Sequence, residues 1–119
     1  MNKLTTSCLL AALGIALGAF GAHKLHPTLE ANGHVDTWHT AVLYHLIHSV
    51  ALFVLAAVGD RLRCRWTFPL WVAGILLFSG SLYGLSLVHL PILGPITPLG
   101  GIAFIAGWIA LIIENRKHS

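Results

Sequence analysis

Four long runs without a single charged side chain, residues 4–22, 37–59, 67–89 and 97–113, occupy most of this 119-residue chain and decide what it can fold into. The first run alone makes about 28 Å of helix at roughly 1.5 Å per residue, which matches a hydrocarbon layer about 30 Å thick. Lipid cannot hydrogen-bond an open backbone, so each run is expected to cross as a helix. The alternation of apolar and polar residues that a membrane barrel needs is missing. The fourth run is the shortest, and it either extends into its polar flank to residue 116 or stands nearly upright. A composition of 56% apolar and 9% charged residues, against roughly 25% charged in soluble domains, excludes a water-soluble fold. The expected class is all-α, an integral membrane four-helix bundle forming one domain over residues 1–119.

Charge outside the runs sets the orientation, because cytoplasmic flanks collect Lys and Arg. Lys3 precedes the first span, Arg61, Arg63 and Arg65 fill the loop after the second, and Arg116 with Lys117 follows the fourth. The opposite loops hold Lys24 set against Glu30 and Asp36, and no charge over residues 90–96. Both termini are therefore expected to be cytoplasmic. The formal net charge of +3 goes into this bias, and no basic aromatic surface points to nucleic acid. A lysine ahead of an apolar run also opens a secretory signal, but the first run exceeds the usual signal core of about 7–15 residues and is expected to be retained. Cys8, in the inner half of the first span, and Cys64, in the basic loop, both face the reducing side. Without a C-x-x-C spacing, neither a disulfide nor a redox motif is expected.

Turn chemistry marks the helix ends. Asp36 is expected to cap the second span, and Thr67 with Pro69 to open the third. Thr97 is expected to cap the fourth, with Pro98 where its missing N–H costs nothing, so that Gly94 to Pro98 forms a tight outer connection. Small residues four apart, Gly14 with Gly18 and Ala22, Gly80 with Gly84, and Ala103 with Gly107, let backbones approach where no hydrophobic drive joins helices. Such faces serve equally for packing within one bundle and for contact with another copy.

Seven of the eight histidines, His23, His26, His34, His39, His45, His48 and His89, fall on the outer side of this map. His45 and His48 are three residues apart and leave the same side of the second helix, with Tyr44 one turn before His48. His45 lies about 13 Å along that helix from Asp36, at roughly 1.5 Å per residue. His23 closes the first span and His89 the third at the same outer level. An H-x-x-H pair with His23 offers three imidazoles to zinc or copper, with Asp36 or water as a fourth ligand, and heme is the other cofactor such a pair can hold. The plainer alternative is that each ring hydrogen-bonds a carbonyl or a tyrosine across helices, for about 0.6–2 kcal/mol. That alternative is preferred for His26, His34 and His39, and it also ranks ahead of metal or heme ligation and of proton handling for His23, His45 and His48. The candidate polar cluster is thus His23, His45 and His48 with Asp36, Tyr44 and His89.

Catalysis has no candidate residues. No span contains Asp, Glu, Lys or Arg, so the membrane carboxylate of a proton-coupled exporter is missing. Ser49, Ser79, Ser81 and Ser86 lie in no nucleophile-elbow context, and no glycine-rich phosphate loop sits between a strand and a helix.

Several motifs recur together: GAFGAH at Gly18 to His23, the W-x-T-A-x-x-Y-H-x-x-H run from Trp38 to His48, SGSLY at Ser79 to Tyr83, and GPITPLGG at Gly94 to Gly101, followed by Gly107 and Trp108. With them the chain resembles, over nearly its whole length, domain-of-unknown-function family 423, the transmembrane protein 256-like small membrane proteins. The resemblance implies a bacterial inner (plasma) membrane protein with four helices and no established activity. His23, His45 and His48 match the family pattern, whereas His26, His34 and His39 lie outside it. The expected function is a non-enzymatic accessory or structural subunit, in contact with lipid and with another membrane protein or its own copies. Two alternatives stay open: a metal or heme binder using His45 and His48, and a small permease for protons or a neutral solute.

Overall fold

The computed structural model describes residues 1–116, so Lys117, placed above in the C-terminal flank, lies outside the described residues. The helices are α1 (Lys3–Ala22), α2 (His26–Asn32), α3 (Val35–Val58), α4 (Thr67–Gly74), α5 (Gly80–Leu87) and α6 (Leu93–Asn115). A π-helical turn, Ile75–Ser79, fuses α4 and α5 into one span, Thr67–Leu87. With α1, α3 and α6 this makes four helices long and apolar enough to cross a membrane, as the uncharged runs require. The chain doubles back at each end. Its N-terminus, the 59–66 linker and the end of α6 gather at one pole, and the segment after α2 meets the segment after α5 at the other.

Large apolar side chains face outward as well as inward. Ile15, Leu76, Ile102 and Ile112 are each more than 60% exposed, while Ser7, Ser49, Ser79 and Ser86 are wholly buried. Lipid solvates the outer apolar faces, so the interior combines apolar side chains with small residues and with polar groups that find partners. α1 packs on α3, α3 on the third span, and the third span on α6. Each of these interfaces carries a side chain bonded to a carbonyl of the next helix. The Trp38 indole donates to the Leu17 carbonyl at 2.9 Å, the Ser79 hydroxyl to Ala41 at 2.8 Å, and the Thr67 hydroxyl to Gly107 at 2.9 Å. An apolar cluster of Leu52, Leu55, Phe68, Trp71, Ile75 and Phe104 fills the part of the bundle beside the linker's Cys64.

Glycine sets the closest approaches. Gly14 and Gly18 sit against Leu46 and Val42 of α3, and Gly107 lies under the Trp71 indole. The expected Gly80–Gly84 face is only half an internal contact. Gly84 meets Leu93, but a Cβ added at Gly80 would find nothing nearer than the Ile75 carbonyl at 3.9 Å. Two tighter sites lack the four-residue signature: Gly74 lies under the Phe104 ring, and Gly100 lies on the backbone of Phe78.

Three boundary expectations are corrected. Asp36 does not cap the second span, because α2 ends at Gly33 in the left-handed region (φ 72°) and the His34 N–H bonds back to Leu29 at 2.9 Å. That tight reversal starts α3 at Val35 and leaves Asp36 in the first turn, where its charge still favours the helix dipole. Thr97 does not cap the fourth span either. The helix begins at Leu93, Gly94 to Pro98 is helical, and the outer connection is residues 88–92. Pro95 falls among the first N–H groups, which lack intrahelical partners anyway, so it suits the first turn. Thr97 instead hydrogen-bonds the Ser81 hydroxyl across to α5. Finally, the third span ends at Leu87, which puts His89 beyond it.

Candidate functional site

Two of the three histidines of α3 are buried in the middle of the bundle, 1% exposed at His45 and 4% at His48. His45 Nε2 lies 2.8 Å from the Leu10 carbonyl of α1, and Nδ1 lies 2.8 Å from the Tyr83 hydroxyl of α5. A carbonyl only accepts, so the proton sits on Nε2 and the bare Nδ1 accepts from the Tyr83 O–H. His48 has the opposite tautomer. Its Nδ1–H donates to the Tyr44 carbonyl at 2.9 Å, and its Nε2 accepts the Trp108 indole N–H at 3.1 Å. Indole can only donate, so this bond requires a neutral His48.

Aromatic rings enclose His48. Phe104 stacks on it with centroids 3.8 Å apart and planes 14° apart, Trp71 meets it edge-on at 5.8 Å, and Tyr44 lies nearly parallel at 6.4 Å. Ser49 donates to the His45 carbonyl at 2.8 Å. Among the described residues, no buried side-chain nitrogen or oxygen lacks a partner. The site is therefore a saturated polar seam. All four imidazole nitrogens are engaged, three of them by groups outside α3, and a new ligand on either ring must displace Tyr83, Trp108 or a carbonyl.

The structure brings Tyr44 to His48, but it does not bring His23, Asp36 or His89 to either ring. Three residues along a helix still leave about 60° between side chains, so His45 turns to α1 and α5 while His48 turns to α6. Antiparallel packing sets His45 level with Leu10, and His23 closes α1 about 20 Å away at roughly 1.5 Å per residue. His23, Asp36 and His89 are exposed. The expected convergence of His23 with His45 and His48 does not form, and no group of three His, Cys, Asp or Glu side chains able to hold a metal occurs among the described residues. His26 pairs with Glu30 at 2.9 Å, His34 meets the Thr37 hydroxyl at 3.5 Å, and His39 is exposed.

Sequence reasoning assigns no role to Tyr83 or Trp108, the two partners that complete the seam. Each falls within or directly after a motif that carries the family resemblance. That placement was the available signal.

The profile of the family described as "Protein of unknown function (DUF423)" matches residues 17–101, which takes in both buried histidines. The UPF0382 membrane protein YwdK of Bacillus subtilis is 45% identical over 115 residues, covering 91% of this chain and 90% of the relative. A UPF0382 membrane protein of Haemophilus influenzae is 40% identical over 119 residues, covering 98% and 95%. The UPF0382 membrane protein C1782.12c of Schizosaccharomyces pombe is 36% identical over 118 residues, covering 95% and 100%. No solved structure matches the chain. On its sequence and its four apolar spans alike, the chain belongs to the DUF423 family and is a multi-pass membrane protein.

Proposed function

We infer that this is a non-enzymatic protein of the bacterial inner (plasma) membrane whose buried histidines fasten its helices together, and that the fastened bundle is an accessory or structural subunit. The observation that carries the reading is the engagement of every nitrogen of His45 and His48. A metal or a transferred proton on either ring would have to displace one of these bonds, and the rings join α3 to α1, α5 and α6. The orientation rests on the positive-inside rule, since the pole holding the N-terminus, Arg63, Arg65 and Arg116 is the basic one. Both termini then face the cytoplasm. An accessory role is supported by Gly80, whose backbone lies open on the outer surface of the third span and leaves room for a further helix.

The test is purification from native membranes in mild detergent. A second membrane protein, or further copies of this chain, is expected to co-elute in fixed ratio. Elution as a lone monomer from several detergents and from lipid nanodiscs would refute the subunit reading. Metal analysis and a Soret scan of the same preparation address the seam: zinc, copper or heme in stoichiometric amount, lost on His45→Ala with His48→Ala, would replace the fastening role by ligation.

A further inference from the structure

At the basic pole, where the spans leave the apolar layer, the ends of α1, α3 and α6 and the 59–66 linker enclose an open cleft of about 1790 Å³. Its lining includes Lys3, Arg63, Arg65 and Arg116, against the two carboxylates Asp60 and Glu114. Four cations against two carboxylates leave the cleft with a net positive charge. The Glu114 carboxylate accepts the Trp66 backbone N–H at 3.3 Å and the Thr67 hydroxyl at 3.5 Å, so it caps the start of α4. Lys3 Nζ points at the Cys64 sulfur, 3.3 Å away, and over the Phe68 ring at 5.7 Å. The Arg65 guanidinium lies 5.4 Å from the Trp66 ring. Among the described residues, Lys3, Arg63 and Arg65 make no ion pair.

The cleft is also held in place. Asn115 accepts the Arg63 N–H at 2.8 Å and donates to the Arg63 carbonyl at 2.8 Å, so the end of α6 grips the linker from both sides of one residue. The linker backbone that carries Arg63 is thus held in place, which lowers the entropic cost of ordering the cleft on binding. The wall is apolar where it meets the bilayer: Leu4 and Ile113 line the cleft and are 51% and 60% exposed. Trp66, 58% exposed, stands on the rim as interfacial tryptophans do.

We propose that this cleft binds the head group of an anionic phospholipid, with the phosphate among Lys3, Arg63 and Arg65 and the acyl chains running down past Leu4 and Ile113. An anion alone would satisfy the cations, but only a lipid also uses the exposed apolar wall beside them. The site is independent of the histidine seam at mid-membrane and of the subunit reading.

The experiment uses the full chain, stripped of lipid in a neutral detergent and titrated with phosphatidylglycerol or phosphatidylcholine, with bound lipid counted by native mass spectrometry. Phosphatidylglycerol is expected to be retained in preference to phosphatidylcholine. Lys3→Gln, Arg63→Gln and Arg65→Gln are each expected to weaken that retention about fivefold, from the roughly 1 kcal/mol that one cation contributes near an anionic surface. Arg61→Gln removes the same charge from the same linker outside the cleft, and Lys3→Arg keeps the charge, so both are expected to bind as wild type does. Equal retention of the two lipids overturns the proposal, and so does a loss at Arg61→Gln as large as at Arg63→Gln. Inorganic phosphate at millimolar concentration displacing phosphatidylglycerol marks a free-anion site and overturns the lipid assignment.

Discussion

Replacing Gly100 with alanine tests how closely the third and fourth spans meet. A Cβ at Gly100 would lie 2.2 Å from the Phe78 backbone nitrogen and 2.6 Å from its Cα, where ordinary contact begins at 3.4 Å. No rotamer change relieves a clash with backbone, so the two helices must part by about 1 Å, and overpacking of this kind costs up to about 3 kcal/mol. Alanine returns roughly 0.5–1 kcal/mol through its better helix propensity, which leaves a net loss of about 2 kcal/mol. Gly80→Ala, on the third span that Gly100 packs against, is the control, because an added Cβ there has open space. It is expected to gain the propensity term alone, so the two variants should differ by about 3 kcal/mol. Unfolding in mixed micelles, followed by circular dichroism with rising sodium dodecyl sulfate, measures the difference. Equal stability of the two variants would refute the close backbone approach and with it the reason for glycine at residue 100.

The Trp108 to His48 bond should appear as a coupling of about 0.6–1.7 kcal/mol in a double-mutant cycle of His48→Phe and Trp108→Phe, and additive effects would mean the bond is not formed. His45→Ala should cost roughly 2–4 kcal/mol, since it empties a buried site and strands the Tyr83 hydroxyl, while exposed His23→Ala should stay within about 0.5 kcal/mol. A comparable loss at both positions, read in the same micelle titration, would point to the shared site that the structure does not form. Single cysteines at Arg61 and Glu30, in a chain with Cys8 and Cys64 replaced by serine, should react with a membrane-impermeant maleimide only from the inside and only from the outside of the cell. The reverse pattern would invert the orientation.

The spans were readable because hydrocarbon thickness imposes its length on sequence directly: an uncharged run has few other uses. Helix ends were less so. Thr97 and Pro98 carry the chemistry of a helix start, but Pro95 offers the same chemistry three residues earlier, and a rule that scores local residues cannot choose between them. Glycine spacing identified Gly14 and Gly18, which do meet α3, and equally Gly80, which meets nothing. Spacing says which glycines share a face but not what the face touches. The expected convergence of His23 with His45 and His48 fails for the same reason. Depth along a helix follows from residue number, yet which rings meet depends on the antiparallel register that sets His45 beside Leu10, and register belongs to the pair of helices.

That register has a physical enforcer. In lipid a cross-helix hydrogen bond contributes on average only about 0.6 kcal/mol, because a separated helix finds other partners, so no single bond among Trp38, His45, Ser79, Thr67 and Trp108 holds the bundle together. Their combined effect on alternatives is larger. Rotating α3 by one residue, about 100°, would carry His45 away from Leu10 and Tyr83 and His48 away from Trp108, leaving polar groups facing hydrocarbon at several kcal/mol each. The glycine contacts act in the same direction by dispersion, since only one rotation of α6 brings Gly100 onto Phe78 and Gly107 under Trp71 together. The histidines therefore discriminate between packings more than they stabilise any one of them. An apolar bundle of the same length would have many rotations of nearly equal energy, whereas here every buried polar side-chain atom described is paired, and a rotation of one helix breaks those pairs.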